Sequence, residues 1–128
     1  MKKYLLTLSL LLILPANAAN WIEYGHKSYI DVSNWQQNGN IITAWIKELN
    51  PGDWQPLKNE KVWYRMSRLQ ADCGARKTKI LDYAIYNTKG NALDSYSFSY
   101  PTWSVVFPDT RGEAEYEAMC LLPYYLNN

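Results

Sequence analysis

Few residues in this 128-residue chain have the types and spacing that chemistry requires. The one histidine, His26, stands between Gly25 and Lys27 in a turn, with no second His or Cys at ligand spacing, so no metal site is expected. The two cysteines, Cys73 and Cys120, do not form a Cys-x-x-Cys pair, and thiol redox chemistry is not expected of them. Nucleophilic catalysis needs a nucleophile, a base and a group that orients the base, and a single turn histidine supplies no such set. Asp31, Asp72 and Asp82 fall on or beside strands. Glycoside hydrolysis asks for two carboxyls flanking one bond, and the spacing of these three pairs none of them; salt bridging or turn capping accounts for them. No Gly-rich phosphate loop and no EF-hand pattern occurs. The expectation is a protein that is not an enzyme and holds no cofactor.

The unusual feature is aromatic. The chain has six Trp, eleven Tyr and two Phe, and of these only Tyr4 lies in the first eighteen residues. Aromatic side chains suit a pleated, half-buried surface, and strand packing explains most of them. Three stand apart. Trp45 and Trp63 fall on strand faces opposite Ile46 and Val62, and Trp54 lies in a polar loop with no evident packing reason. Trp and Tyr dominate binding hot spots, so Trp54 first, then Trp45 and Trp63, are the candidate binding residues.

The elements that would position them are mostly strands. Trp21–Tyr24 and Ser28–Val32 are short and β-prone. Asn38-Gly39 is a strong hairpin signal within a turn over residues 33–40. Ile41–Leu49 alternates cleanly, with Ile42, Ala44 and Ile46 on one face and Thr43, Trp45 and Lys47 on the other. After the loop at residues 50–59, Lys61–Ala71 sets Val62, Tyr64 and Met66 against Trp63, Arg65 and Ser67. Lys77–Asn87 sets Leu81, Tyr83 and Ile85 against Ile80, Asp82 and Ala84. Ala92–Tyr100 and a short apolar stretch, Trp103–Phe107, follow. The period then changes. Thr110 and Glu113 fit a capping box, Tyr116, Met119 and Cys120 share a helical face, and Pro123 is expected to end the helix. Strands followed by one helix predict an α+β fold: an antiparallel sheet of about five to six strands with a C-terminal helix packed on one face.

The amino terminus carries a compartment signal. Lys2 and Lys3 precede an apolar run from Tyr4 to Leu14, then Pro15 and a small-x-small site, Ala16-Asn17-Ala18, which predicts cleavage before Ala19. A spanning helix needs about 20 apolar residues, so the run reads as a signal peptide over 1–18, followed by one domain over 19–128 with no later membrane span. No cysteine follows the cut to accept a lipid anchor. Taking Lys2 and Lys3 from thirteen basic residues leaves eleven against twelve acidic ones, a net charge of −1. There is no basic stripe for nucleic acid. An even cysteine count in an exported chain predicts a Cys73–Cys120 disulfide stapling helix to sheet.

Several short motifs, in order, resemble the bacterial surface-adhesin protein E family. They are Tyr29-Ile30-Asp31; Ile42 with Trp45; Asp72-Cys73; and Trp103, Val106, Pro108, Asp109, Thr110, Glu113 and Cys120. The resemblance spans about residues 21 to 121. It implies an antiparallel sheet with a C-terminal helix disulfide-linked to it, and binding of host matrix proteins, plasminogen and haem. The two cysteines carry over; no binding residue does. The expected function is a non-enzymatic, exported binding module with a protein partner from the host or the envelope. The alternative is a periplasmic structural or accessory protein of the cell envelope.

Overall fold

The structure, a computed structural model, describes residues 18–125. The expected leader lies outside the described residues apart from its last residue, Ala18. Among the described residues, eight strands form one antiparallel sheet: β1 (Trp21–Gly25), β2 (Ser28–Asp31), β3 (Gln36–Asn38), β4 (Ile41–Leu49), β5 (Val62–Asp72), β6 (Lys77–Asn87), β7 (Ala92–Ser97) and β8 (Ser104–Val105). One helix, α1 (Arg111–Tyr125), follows. The order across the sheet is β1-β2-β4-β5-β6-β7. β3 and β2 sit in succession along one edge of β4, and β8 and β7 along one edge of β6. The α+β architecture expected from the sequence is therefore present, including the predicted bridge: Cys73 and Cys120 are disulfide-bonded with Cα atoms 5.8 Å apart.

Alternation decides which face the helix covers. Ile42, Ala44 and Ile46 of β4 are buried beneath it with Ile30 and Val32, and Leu69 and Ala71 of β5 pair beside them. Tyr116, Met119 and Leu122 supply the helix side of this core. Complete burial of each Ile, Met or Leu contributes roughly 1.5–3 kcal/mol. β4 and the turn at Asn38-Gly39 follow the sequence reading, although residues 36–38, read as part of that turn, form the short strand β3; Gly39 turns the chain at φ 60° between the paired residues Asn38 and Ile41.

Three local expectations are corrected. A bulge between Val62 and Tyr64 puts Val62 out of phase with Tyr64 and Met66. A second bulge, at Leu81, pairs Ile80 with Leu69 and Tyr83 with Ser67, so Ile80 shares the helix-covered face with Tyr83 and Ile85 and not with Asp82. An extra residue in one strand shifts its alternation by one, and period-two reading has no means of seeing it. The helix begins at Arg111 and continues through Pro123 to Tyr125. A proline this close to the end of a helix removes only one late backbone bond, so the final turn survives it. The capping box forms with one change. Thr110 Oγ1 accepts from Glu113 N at 3.2 Å, while Glu113 Oε1 accepts from Asp109 N at 3.1 Å, one residue before the usual partner.

Candidate functional site

The helix lies across β1, β4, β5 and β6 but leaves the β6–β7 end of its face uncovered. Tyr83 and Tyr96 pair across β6 and β7, and Phe98 follows. Their rings form one cluster: Tyr96 and Phe98 meet edge to face at 4.8 Å, and each lies 6.2 Å from Tyr83. Ile80, Tyr96 and Phe98 are exposed, and Tyr100 is 92% exposed. An exposed apolar strip of this kind, beside a covered core, is the usual mark of an interaction surface.

Where the strip meets the helix, charge is buried. Glu48 continues the apolar phase of Ile42, Ala44 and Ile46 and is itself buried. Its carboxylate accepts from Arg65 Nη2 of β5 at 2.9 Å and from Arg111 Nη1 of the helix, so it ties the first turn of α1 to the sheet. One turn along, Glu115 is half-buried. Burial, then repulsion from Glu48, pushes its carboxyl up to about 7 against the pull of Arg65 and Arg111. Tyr24 of β1 faces the same cluster. Burial, with Glu115 and Glu48 nearby, raises its phenol well above the ordinary value. Its Oη is the one buried side-chain polar atom among the described residues without a hydrogen-bond partner. Nothing in the sequence reading singled out Glu48 or Glu115. The available signal was phase: Glu48 is in step with the apolar side of β4, and Glu115 with Met119 and Leu122.

The three sequence-nominated tryptophans do not converge. Trp54 is half-buried and lines a cleft of about 280 Å³ with Leu57, Val62, Arg65 and Ile85. The Arg65 guanidinium lies 5.9 Å from its ring centre, and Asn50 Oδ1 accepts from its backbone N at 3.3 Å. This places Trp54 at the far end of the helix-side strip. Trp45 lies on the opposite face. Arg68, held by Asp82 through Nε (3.3 Å) and Nη2 (2.8 Å), stacks over its ring at 5.7 Å. On that face Lys47 also sits over both Trp21 and Tyr64, and Tyr64 stacks on Tyr86 at 4.7 Å. Trp63, 46% exposed, stands edge-on to Tyr64 at 5.0 Å. His26 is exposed in the β1–β2 turn. Among the described residues no cluster of three or more His, Cys, Asp or Glu is placed to hold a metal. No described helix is long and apolar enough to cross a membrane.

Comparison with known proteins agrees with this geometry. No curated protein sequence matches the chain. The crystal structure of protein E from non-typeable Haemophilus influenzae superposes with a TM-score of 0.59 at 12% identity, over 83% of this chain and 79% of that one, a likeness of fold. The family model for surface-adhesin protein E matches residues 21–121, nearly all of the described sheet and helix, and the chain belongs to that family.

Proposed function

We propose that this chain is an exported, non-enzymatic module that binds a protein partner through the helix-side strip running from Trp54 past Arg65 and Ile85 to Tyr96, Phe98 and Tyr100. The observation that carries the reading is the uncovered part of the sheet face. Ile80, Tyr96, Phe98 and Tyr100 extend the same face that elsewhere forms the core, yet nothing in the described chain covers them. Membership of an adhesin family supports protein binding as the class of function. The leader-like first eighteen residues support export.

Immobilised protein is challenged with purified host matrix proteins and with envelope extract from the source cell. Phe98→Ser/Tyr100→Ser and Trp54→Ala are compared with Trp45→Ala on the opposite face. Loss of a saturable partner only in the first two variants supports the strip; truncating a hot-spot aromatic costs about 2 kcal/mol or more of binding. Loss only in Trp45→Ala moves the binding surface to the other face. The absence of any saturable protein partner in both arms overturns the reading.

A further inference from the structure

The helix-side strip ends in a second cleft of about 280 Å³, between α1 and the segment that crosses from β7 to β8. Leu69 and Ile80 line it from the sheet, Phe98, Tyr100 and Pro101 from the crossing segment, and Glu115 from the helix. Thr78, Thr102 and Ser104 add hydroxyl groups to the lining, and Glu115 is its one charged residue. The carboxyl of Glu115 has no hydrogen bond and no ion pair among the described residues. Its neighbouring cations, Arg65 and Arg111, are both engaged by Glu48. A half-buried carboxylate with no direct partner gains from a cation placed beside it. Aromatic faces at the mouth attract a cation in their own right. The cleft is therefore complementary to a group with an apolar stem and a positive tip.

We propose that this cleft receives the side chain of a lysine carried by the partner protein, with its methylenes against Ile80, Phe98 and Tyr100 and its ammonium on Glu115. The proposal rests on the reading of the chain as a protein-binding module and names what the strip recognises. An ammonium is a compact point charge that a single carboxylate can hold, whereas a guanidinium fork is best met by two coplanar acceptors. A lysine stem also buries readily along apolar surface while its head remains with charge.

The groups that face Glu115 set how binding depends on pH. They are Tyr24 from β1, Glu48 from β4, Arg65 from β5, Arg111 from its own helix and Tyr100 across the cleft; β6 contributes only the uncharged Thr78 and Ile80. In the empty cleft the carboxyl titrates near 7. An ammonium binds the ionised form, so binding releases a proton. The ionised fraction rises from about 0.1 at pH 6 to about 0.9 at pH 8, so the affinity rises about tenfold over that interval.

The test is an NMR titration of the isotope-labelled protein with Nα-acetyl-lysine methylamide and, separately, with the norleucine analogue, which has the stem without the charge. The lysine amide is expected to shift resonances of Ile80, Phe98, Tyr100 and Glu115 in the millimolar range, to bind about tenfold more tightly at pH 8 than at pH 6, and to outcompete norleucine. Glu115→Gln, similar in size and uncharged, loses roughly tenfold or more of the affinity. Equal binding of both amides, or no lysine binding at either pH, overturns the proposal on the wild-type protein alone. Unchanged affinity in a folded Glu115→Gln variant overturns it as well. The titration needs no protein partner. Lysine binding without any captured partner leaves the cleft and removes the protein-binding reading; a captured partner indifferent to Glu115→Gln does the reverse.

Discussion

Tyr116 donates its hydroxyl hydrogen to the backbone carbonyl of Cys73 at 2.9 Å, one helical turn before Cys120, whose sulfur is bonded to that of Cys73. The end of β5 is thus fastened to the helix twice, once covalently and once by a buried phenol. Arg76, in the same β5–β6 turn, adds a third tie: its guanidinium lies 5.3 Å from the Tyr116 ring centre and bonds Glu113 Oε2 at 2.7 Å. The disulfide closes a long loop, with a sequence separation of 47, worth about 4 kcal/mol on the chain-entropy account.

Replacing both cysteines by serine is expected to cost about 2–5 kcal/mol in denaturant unfolding. Tyr116→Phe is expected to cost about 1 kcal/mol, because it removes one hydrogen bond and keeps the packing. Since the two ties share Cys73, the combined variant should depart from additivity. A Tyr116→Phe cost equal to that of the double serine variant would show that the phenol, and not the bridge, holds the helix.

Much of this was legible in the chain itself. Strict alternation over β4 marked its buried face residue by residue, and the change of period after Pro108 marked the helix. Two cysteines in a chain read as exported left one pairing to expect, and the bridge is present. The rest was hidden for physical reasons. Bulges at Val62–Tyr64 and at Leu81 reset the alternation without a residue type that announces them. The cluster of Glu48, Arg65, Arg111 and Glu115 is assembled from two strands and a helix, and its members are up to 67 positions apart by residue number. Trp54 read as an exposed loop residue because its neighbours are polar; in the fold it is half-buried under Arg65, a contact that only the return of β5 creates.

Asp31 holds the start of the sheet. Its Oδ1 accepts from the backbone N of Asn20 at 3.0 Å and of Ser33 at 2.9 Å, and its Oδ2 from Asn34 Nδ2 at 2.9 Å. Burial alone would raise its pKa; these donors outweigh burial and hold the carboxyl below its ordinary value. A depressed pKa stabilises the fold above the unfolded value and is lost as pH falls through the folded one, so this contribution vanishes only in strong acid. Asp31→Ala leaves three donors without their acceptor and is expected to cost about 2–3 kcal/mol, with β1 exchanging its amide hydrogens first. Uniform loss of protection across the sheet would contradict a local role.

The amino-terminal expectation has a direct readout. Intact-mass spectrometry of the protein recovered outside the cytoplasm should give a chain that begins at Ala19, with no lipid adduct. A chain retaining Met1 would mean that the apolar run from Tyr4 to Leu14 stays in place.

Glu115 makes the last prediction, on stability. Its folded pKa, about 7, lies above the ordinary value of 4.5, and the cause is burial followed by Glu48. A raised carboxyl favours the protonated fold: the benefit is complete below the unfolded pKa and is lost as pH rises through 7. Asp31 and Glu113, both lowered, act on the acid side and leave the interval from pH 5 to 8 to Glu115. Unfolding free energy should therefore fall by about 2 kcal/mol between pH 5 and pH 8, a figure already reduced for the water that still reaches the side chain. Glu115→Gln should remove that slope and make the protein more stable than wild type at pH 8. Glu48→Gln removes the repelling neighbour and should move the midpoint of the slope to lower pH, although it also loosens Arg65 and Arg111. Denaturant unfolding at each half pH unit measures all three proteins. A wild-type slope that persists in Glu115→Gln would place the titrating group elsewhere.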